Sequence, residues 1–252
     1  MRARLRTLIL AAASAAAVAA QAAPVTLVLG NDLFMPGHRY RSGGDWLALA
    51  CEGAACRLGA ARLVVKHSTM DAADGGPSTP GQQLHFARPA AAAGEVLAWL
   101  RRDRAVRWLA PGPVPTYASA TQGVRRPVDG GSYEVEVPLP GGASATLVPL
   151  LDRANERVEI QLRLGDRRQR LGAIDSCAGD GLEDFFRWAG DLDGDGRPDF
   201  LVDHGAAAVG GKAVLHLSSR SAAGAPLVGD GAVYEEPPET TECDAGDDWI
   251  AP

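Results

Sequence analysis

Apolar residues lie in short runs along most of the chain, separated by Gly, Pro, Asp and Ser. Such runs between turn residues are typical of β-strands, and a helical period of 3.6 residues is scarce. Residues 133–137 and 158–164 alternate between apolar and polar side chains, which predicts strands with one buried and one solvated face. The predicted strands cover 25–29, 46–51, 56–66, 84–86, 96–100, 132–137, 145–150, 158–164, 168–174, 184–188, 199–202 and 213–217.

Residues 95–109 fit two interpretations. They contain the apolar run of the strand predicted at 96–100, but their apolar residues also partly follow a helical period. The Gly- and Pro-rich residues 71–81 predict a surface loop, and the prolines at 111–115 interrupt any regular element.

The N-terminus has the pattern of an export signal. A basic start at residues 1–6 precedes an apolar run at 7–20, which ends in the small-x-small sequence Ala20-Gln21-Ala22. The run is shorter than the roughly 20 apolar residues of a membrane-spanning helix. We expect cleavage after Ala22, a periplasmic or extracellular location, and no stable membrane insertion.

A polar, Gly-containing stretch at 122–131 suggests a domain boundary near residue 125. The expected organisation is a signal peptide at 1–22, an N-terminal β domain at 23–125 and a C-terminal β domain at 126–252; one large β domain is the alternative. The predicted fold class is mainly β, with many short strands in antiparallel, sandwich-like domains.

The charge is distributed unevenly. Residues 173–252 carry 17 acidic and 4 basic side chains, and the whole chain has a net charge of −6. Nucleic-acid binding requires a basic face for the phosphates, so an acidic C-terminal part argues against a nucleic-acid partner.

Four cysteines in an exported chain favour two disulfides over free thiols. Three connectivities are possible. Cys51 and Cys56 flank a turn-like spacer, which suits a local bridge between two strands, and Cys177 then pairs with Cys243 by elimination.

The most informative motif is the run of alternating carboxylates at 191–199. Asp191, Asp193, Asp195 and Asp199 occupy positions 1, 3, 5 and 9 of a tight loop, and Gly194 and Gly196 permit the positive φ angles of such a turn. Calcium prefers six to eight oxygen ligands, so the spacing predicts a calcium site; a solvated acidic turn is the alternative. The loop differs from an EF-hand, because Val202 stands where the bidentate Glu would be.

Followed by the strand at 199–202, this run resembles the calcium loop of FG-GAP and VCBS type repeats. The resemblance implies calcium ligation by Asp191, Asp193, Asp195, the backbone carbonyl of Arg197, and Asp199. Those families repeat the loop in each propeller blade, whereas this chain contains it once, so a full propeller is not expected. The rest of the chain resembles secreted proteins of Gram-negative bacteria, which implies no activity.

The motifs of common hydrolases and nucleotide-binding proteins are absent from the sequence, and we assign no catalytic residue. Two functions remain. The first is a non-catalytic envelope module with structural calcium and an unknown protein or carbohydrate partner. The alternative is a calcium-stabilised hydrolase of polysaccharide or phosphoester, which needs paired carboxylates or a His with a carboxylate in a pocket away from the loop.

Overall fold

The computed structural model describes residues 25–37, 40–71, 76–87, 94–102, 106, 108–120, 124–127, 133–152, 157–175, 185–205, 211–221 and 226–235. The predicted mainly β, antiparallel architecture is confirmed within these residues. The strands are β1 (Thr26–Val28), β2 (Leu33–Pro36), β3 (Gly43–Glu52), β4 (Ala55–Met70), β5 (Thr79–Ala87), β6 (Glu95–Arg101), β7 (Gly112–Val114), β8 (Thr116–Ser119), β9 (Val124–Pro127), β10 (Tyr133–Pro138), β11 (Ser144–Asp152), β12 (Arg157–Leu164), β13 (Arg167–Asp175), β14 (Phe186–Gly190), β15 (Asp199–Asp203), β16 (Lys212–Leu217) and β17 (Gly229–Glu235). Short 3₁₀ turns lie at Pro140–Gly142 and Ser218–Arg220.

The strands form three antiparallel sheets. The first sheet has the order β1-β6-β3-β4-β5-β2, with β7 paired to β4. The meander sheet follows the chain directly, in the order β13-β12-β11-β10-β9, and the central sheet has the order β17-β16-β15-β14-β8. β8 precedes residue 125 and the other central strands follow it, so the two predicted parts of the chain share one sheet.

The central sheet is buried on both faces. Leu201 and Leu215 pack into the apolar core against the first sheet. Phe200 and Val202 face the other way and pack into the core against the meander sheet. Burial of both faces explains why β15 and β16 are nearly continuous apolar runs. β12 of the meander sheet alternates instead, because only one of its faces is fully buried.

Some local expectations needed correction. The ambiguous residues 95–109 contain β6, so the strand interpretation is right there. β5 begins at Thr79, inside the expected loop. The prolines at 111–115 do not exclude strand: Pro113 lies in β7, a short strand bonded to β4, and such peripheral strands tolerate a missing N–H donor. β2, β8, β9 and β17 were not predicted, because they are short or rich in Gly and Arg.

The predicted bridge between Cys51 and Cys56 is confirmed. The two residues face each other in the register of β3 and β4, next to the turn, with their Cα atoms 4.1 Å apart. Cys177, Cys243 and the predicted signal peptide lie outside the described residues. In the part of the chain that is described, no helix is long and apolar enough to cross a membrane.

Candidate metal centre

The carboxylate loop connects β14 to β15 and begins at the edge of the central sheet next to β8. The backbone N–H of Asp191 donates to the carbonyl of Pro115 at 2.8 Å. A Cβ atom on Gly190 would lie 2.3 Å from that same oxygen, so only glycine allows this close approach. The loop therefore starts from a fixed point on the sheet.

Three carboxylates converge inside the loop. Asp191, Asp193 and Asp195 each offer one oxygen, and these oxygens lie within 4.8 Å of one another. A calcium ion binds oxygens at about 2.3–2.6 Å, so two ligands on opposite sides of it are about 5 Å apart. The spacing is thus compatible with one shared cation, and this group could hold a metal ion.

The backbone of the loop turns around the Asp191 carboxylate. Gly194 and Gly196 have φ angles of 76° and 78°, in the left-handed region that the sequence predicted for them. Their N–H groups donate to the two oxygens of Asp191, at 2.8 and 3.0 Å respectively. Each carboxylate oxygen keeps a second lone pair, so these bonds leave Asp191 able to bind a cation.

Two serines in the 3₁₀ turn after β16 complete the rim of the loop. Ser218 Oγ donates to the Asp195 carboxylate at 2.9 Å, and Ser219 Oγ donates to Asp193 Oδ2. Sequence reasoning missed both serines, because they follow Asp195 by more than twenty residues and belong to no motif. Only the pairing of β15 with β16 brings the serines to the loop.

Asp193 and Asp195 differ in their electrostatics. Burial is the main cause that raises the pKa of Asp193, and the charges of Asp195 and Asp191 raise it further. The hydrogen bond from Ser219 acts in the opposite direction but does not cancel the increase. Burial alone would also raise the pKa of Asp195, but hydrogen bonds from Arg197 and Ser218 and the Arg197 charge lower it. The Arg197 guanidinium lies 2.7–3.0 Å from Asp195 Oδ2.

Asp199 is the fourth predicted carboxylate, and it lies outside the group of three. Its side chain is completely buried, and its oxygens accept bonds from the backbone N–H groups of Leu192 and Ser218, both at 2.8 Å. Burial, with the nearby charges of Asp193 and Asp195, raises its pKa to about 7 despite these bonds. A buried carboxylate beside two others creates a negative field that a cation would relieve.

Away from the loop, the described residues contain two pairs of a histidine and a carboxylate, His85 with Asp32 and the buried His216 with Asp230, whose Nδ1 and Oδ1 atoms lie 3.0 Å apart. His67 is exposed on β4, and its neighbour Ser68 points to the opposite face of that strand. His85 Nδ1 lies 2.6 Å from Asp32 Oδ1, on the open surface. In the described ranges no serine, threonine or cysteine side chain bonds to His85. Glu183, Asp184 and Glu236 lie outside those ranges, and Glu235 is an exposed end of β17.

Three of the tryptophans are buried in the core. Trp46, Trp99 and Trp188 are at most 2% exposed. Phe86 stacks on Trp99 with ring centroids 4.5 Å apart, and Trp46 meets the edge of the same phenylalanine. These three indoles are therefore not available as a platform for sugars.

Comparisons of the chain with protein-family models, curated proteins and solved structures gave no significant match. The assignment of a function therefore depends on the geometry of the loop and on the motif itself.

Proposed function

We propose that this chain is an exported, calcium-binding β protein that acts as a non-catalytic module of the bacterial envelope. The observation that carries the proposal is the convergence of Asp191, Asp193 and Asp195 within 4.8 Å on a loop that is fixed at both ends. The basic start, the apolar run and the Ala20-Gln21-Ala22 site support export. The partner would be a protein or carbohydrate of the envelope, with no nucleic acid and no membrane insertion.

Calcium is the cation that best fits the donor set. All candidate ligands are oxygens, and no His or Cys lies in the loop, which disfavours zinc. The proposal includes ligation by the Arg197 carbonyl and by Asp199, as the FG-GAP and VCBS resemblance implies. Asp199 would use second lone pairs on its oxygens and keep its bonds to the backbone.

The role of the cation would be structural. The loop contacts Pro115 before β8 and the serines after β16, so one ion would fasten three segments of the central sheet. Without the bidentate Glu of an EF-hand, we expect an affinity of about 10⁻⁴ to 10⁻³ M, as in extracellular modules.

The test is a calcium titration of thermal unfolding. Calcium at ten times its dissociation constant should stabilise the folded protein by about 1.4 kcal/mol, because it binds only the folded loop. For a protein of this size the melting temperature should rise by roughly 3–6 °C. Asp193→Ala should lose this increase, and its calcium-free form should be slightly more stable, because fewer like charges repel one another.

Asp166→Asn provides the matched control. Asp166 is an exposed aspartate in the turn between β12 and β13, outside the loop, so its replacement should leave the calcium response intact. Equal calcium responses in the wild type and in Asp193→Ala would exclude this loop as the site. An equal response to magnesium would contradict calcium as the preferred ion.

A further inference from the structure

Two buried histidines lie between the central sheet and the meander sheet. His204 follows β15 and His216 lies in β16, and they are 4% and 1% exposed. The ring of His204 packs against Gly172 of β13. His216 stands opposite Phe200 in the strand register, and Phe200 packs into the core against the meander sheet. Because directly paired residues share a face of a sheet, both imidazoles are enclosed between the same two sheets.

The two rings reach toward each other along the central sheet. The backbone N–H of His204 donates to the carbonyl of Lys212 at 2.6 Å, so His204 lies opposite a residue four positions before His216. Four residues of a strand span about 13 Å. The ring centroids are nevertheless only 6.1 Å apart, with an angle of 85° between the ring planes. Both side chains therefore extend toward each other, and their outer edges, which carry the Nε2 atoms, face one another.

The ring nitrogens on these facing edges are free. Within the described part of the chain, neither ring nitrogen of His204 has a hydrogen-bond partner, and Nε2 of His216 has none either. Buried polar atoms in folded proteins are normally bonded, since an unbonded one loses its contacts with water and gains nothing. Three unbonded nitrogens on two facing, buried imidazoles therefore point to a ligand site.

A carboxylate orients one of the two rings. Asp230 of β17 stands opposite His216 in the register, and its Oδ1 lies 3.0 Å from His216 Nδ1. The register shift at this point makes Gly231 an extra residue in β17, and such bulges redirect side chains. A carboxylate at Nδ1 keeps the proton there and leaves the lone pair of Nε2 free, as in metal-bound histidines. The side chain of Asp230 is 66% exposed, so an ion can reach the pair from this edge.

We propose that His204 and His216 together bind one Cu⁺ ion, with Asp230 as a positioning residue. Imidazole nitrogen suits zinc and copper and not calcium. Zinc sites use three or four protein ligands, but within the described residues no third ligand joins this pair. Cu⁺ is stable with two nitrogens in a line. Its single charge is balanced by the Asp230 carboxylate, which limits the cost of burying it.

The separation of the rings fits this ion. A metal–imidazole bond is about 2.0–2.1 Å long and the ring centre lies about 1 Å behind the nitrogen, so two imidazoles in line on one ion have centres about 6 Å apart. The observed separation is 6.1 Å. The pair is thus already spaced for an ion between the rings, without movement of either sheet.

The test is an anaerobic competition for Cu⁺, supplied as its acetonitrile complex, between the purified chain and the coloured chelator bicinchoninate. Calcium is present throughout to occupy the proposed loop site, and a thiol assay confirms that the cysteines are oxidised. We expect the wild type to withdraw one Cu⁺ per chain from the chelator. X-ray absorption of the loaded protein should show two nitrogen neighbours and no sulfur, a readout that needs no variant.

His204→Phe and His216→Phe should each weaken Cu⁺ binding by more than about 100-fold, because each removes a ligand. Asp230→Asn should weaken it by about 10- to 100-fold, as the loss of an orienting partner does. His67→Gln and Asp166→Asn replace an exposed histidine and an exposed aspartate elsewhere, so both should bind Cu⁺ like the wild type. Melting curves check that the variants are folded.

Three results would overturn the proposal. The first is a wild type that takes no Cu⁺ from the chelator. The second is an absorption spectrum with sulfur neighbours, which would place the ion at methionine or cysteine. The third is equal Cu⁺ binding by the wild type and a folded His204→Phe variant, which would place the ion on other residues.

Discussion

Protonation of His204 should destabilise this protein in mild acid. His204 follows β15 and is 4% exposed, with neither ring nitrogen hydrogen-bonded within the described part of the chain. Its ring lies against Gly172 of the meander sheet. A Cβ atom added to Gly172 would lie 2.7 Å from His204 Cε1, so the ring and the glycine are in close contact. The imidazole is thus enclosed between two sheets, in a place that favours its neutral form.

The magnitude follows from the change in pKa on folding. Burial, followed by the charges of His216 and Lys212, lowers the pKa of His204 from 6.5 to about 4, and Asp230 opposes this change. The folded state therefore binds fewer protons than the unfolded state between about pH 6.5 and 4, and stability falls as the pH falls through this window. From pH 7 to pH 5 the loss attributable to His204 is about 2 kcal/mol.

The assay compares thermal unfolding at pH 7 and pH 5 for the wild type and for His204→Phe, which keeps a ring in the same space. A free-energy difference of about 2 kcal/mol corresponds to roughly 4–8 °C in a protein of this size. The wild type should lose this much more than the variant on acidification. His67→Gln, which removes an exposed histidine of β4, serves as the control and should lose as much as the wild type.

Other groups also titrate in this pH range. The decisive quantity is therefore the difference between the wild type and His204→Phe in the melting temperature lost on acidification. If the wild type and His204→Phe lost the same number of degrees between pH 7 and pH 5, the buried imidazole would not be the origin of the acid sensitivity. If His67→Gln also lost its sensitivity, the effect would belong to histidine content and not to burial.

Three further predictions concern processing, cross-linking and the buried carboxylate. Mass spectrometry of the envelope fraction should find an N-terminus at Ala23, and an intact chain in the cytosol would contradict export. Peptide mapping without reduction should join Cys177 to Cys243; a peptide joining either of them to the confirmed bridge would refute that pairing. Asp199→Ala should cost about 2–6 kcal/mol in a urea melt, because it leaves two buried backbone N–H groups without acceptors. A loss below about 1 kcal/mol would show that other groups replace it.

The loop illustrates how far a local motif reaches. The spacing of Asp191, Asp193 and Asp195 and the two glycines are local features, so the sequence predicts their convergence and their backbone angles. The bond from Ser218 to Asp195 depends on the pairing of β15 with β16. No short-range pattern contains that information.

The sequence by itself determined most of the strands, the hairpin disulfide and the carboxylate loop, because each depends on neighbours within a few residues. Only the tertiary structure decided that β14 to β17 form a sheet covered on both sides, and that β8 joins them from the earlier part of the chain. It also decided that His204 is buried against Gly172 and that Ser218 and Ser219 bond to the carboxylate loop. These contacts join residues that are distant along the chain, and they depend on how the sheets stack. Burial of apolar area favours stacking of the sheets, but no local sequence pattern specifies which residues then meet.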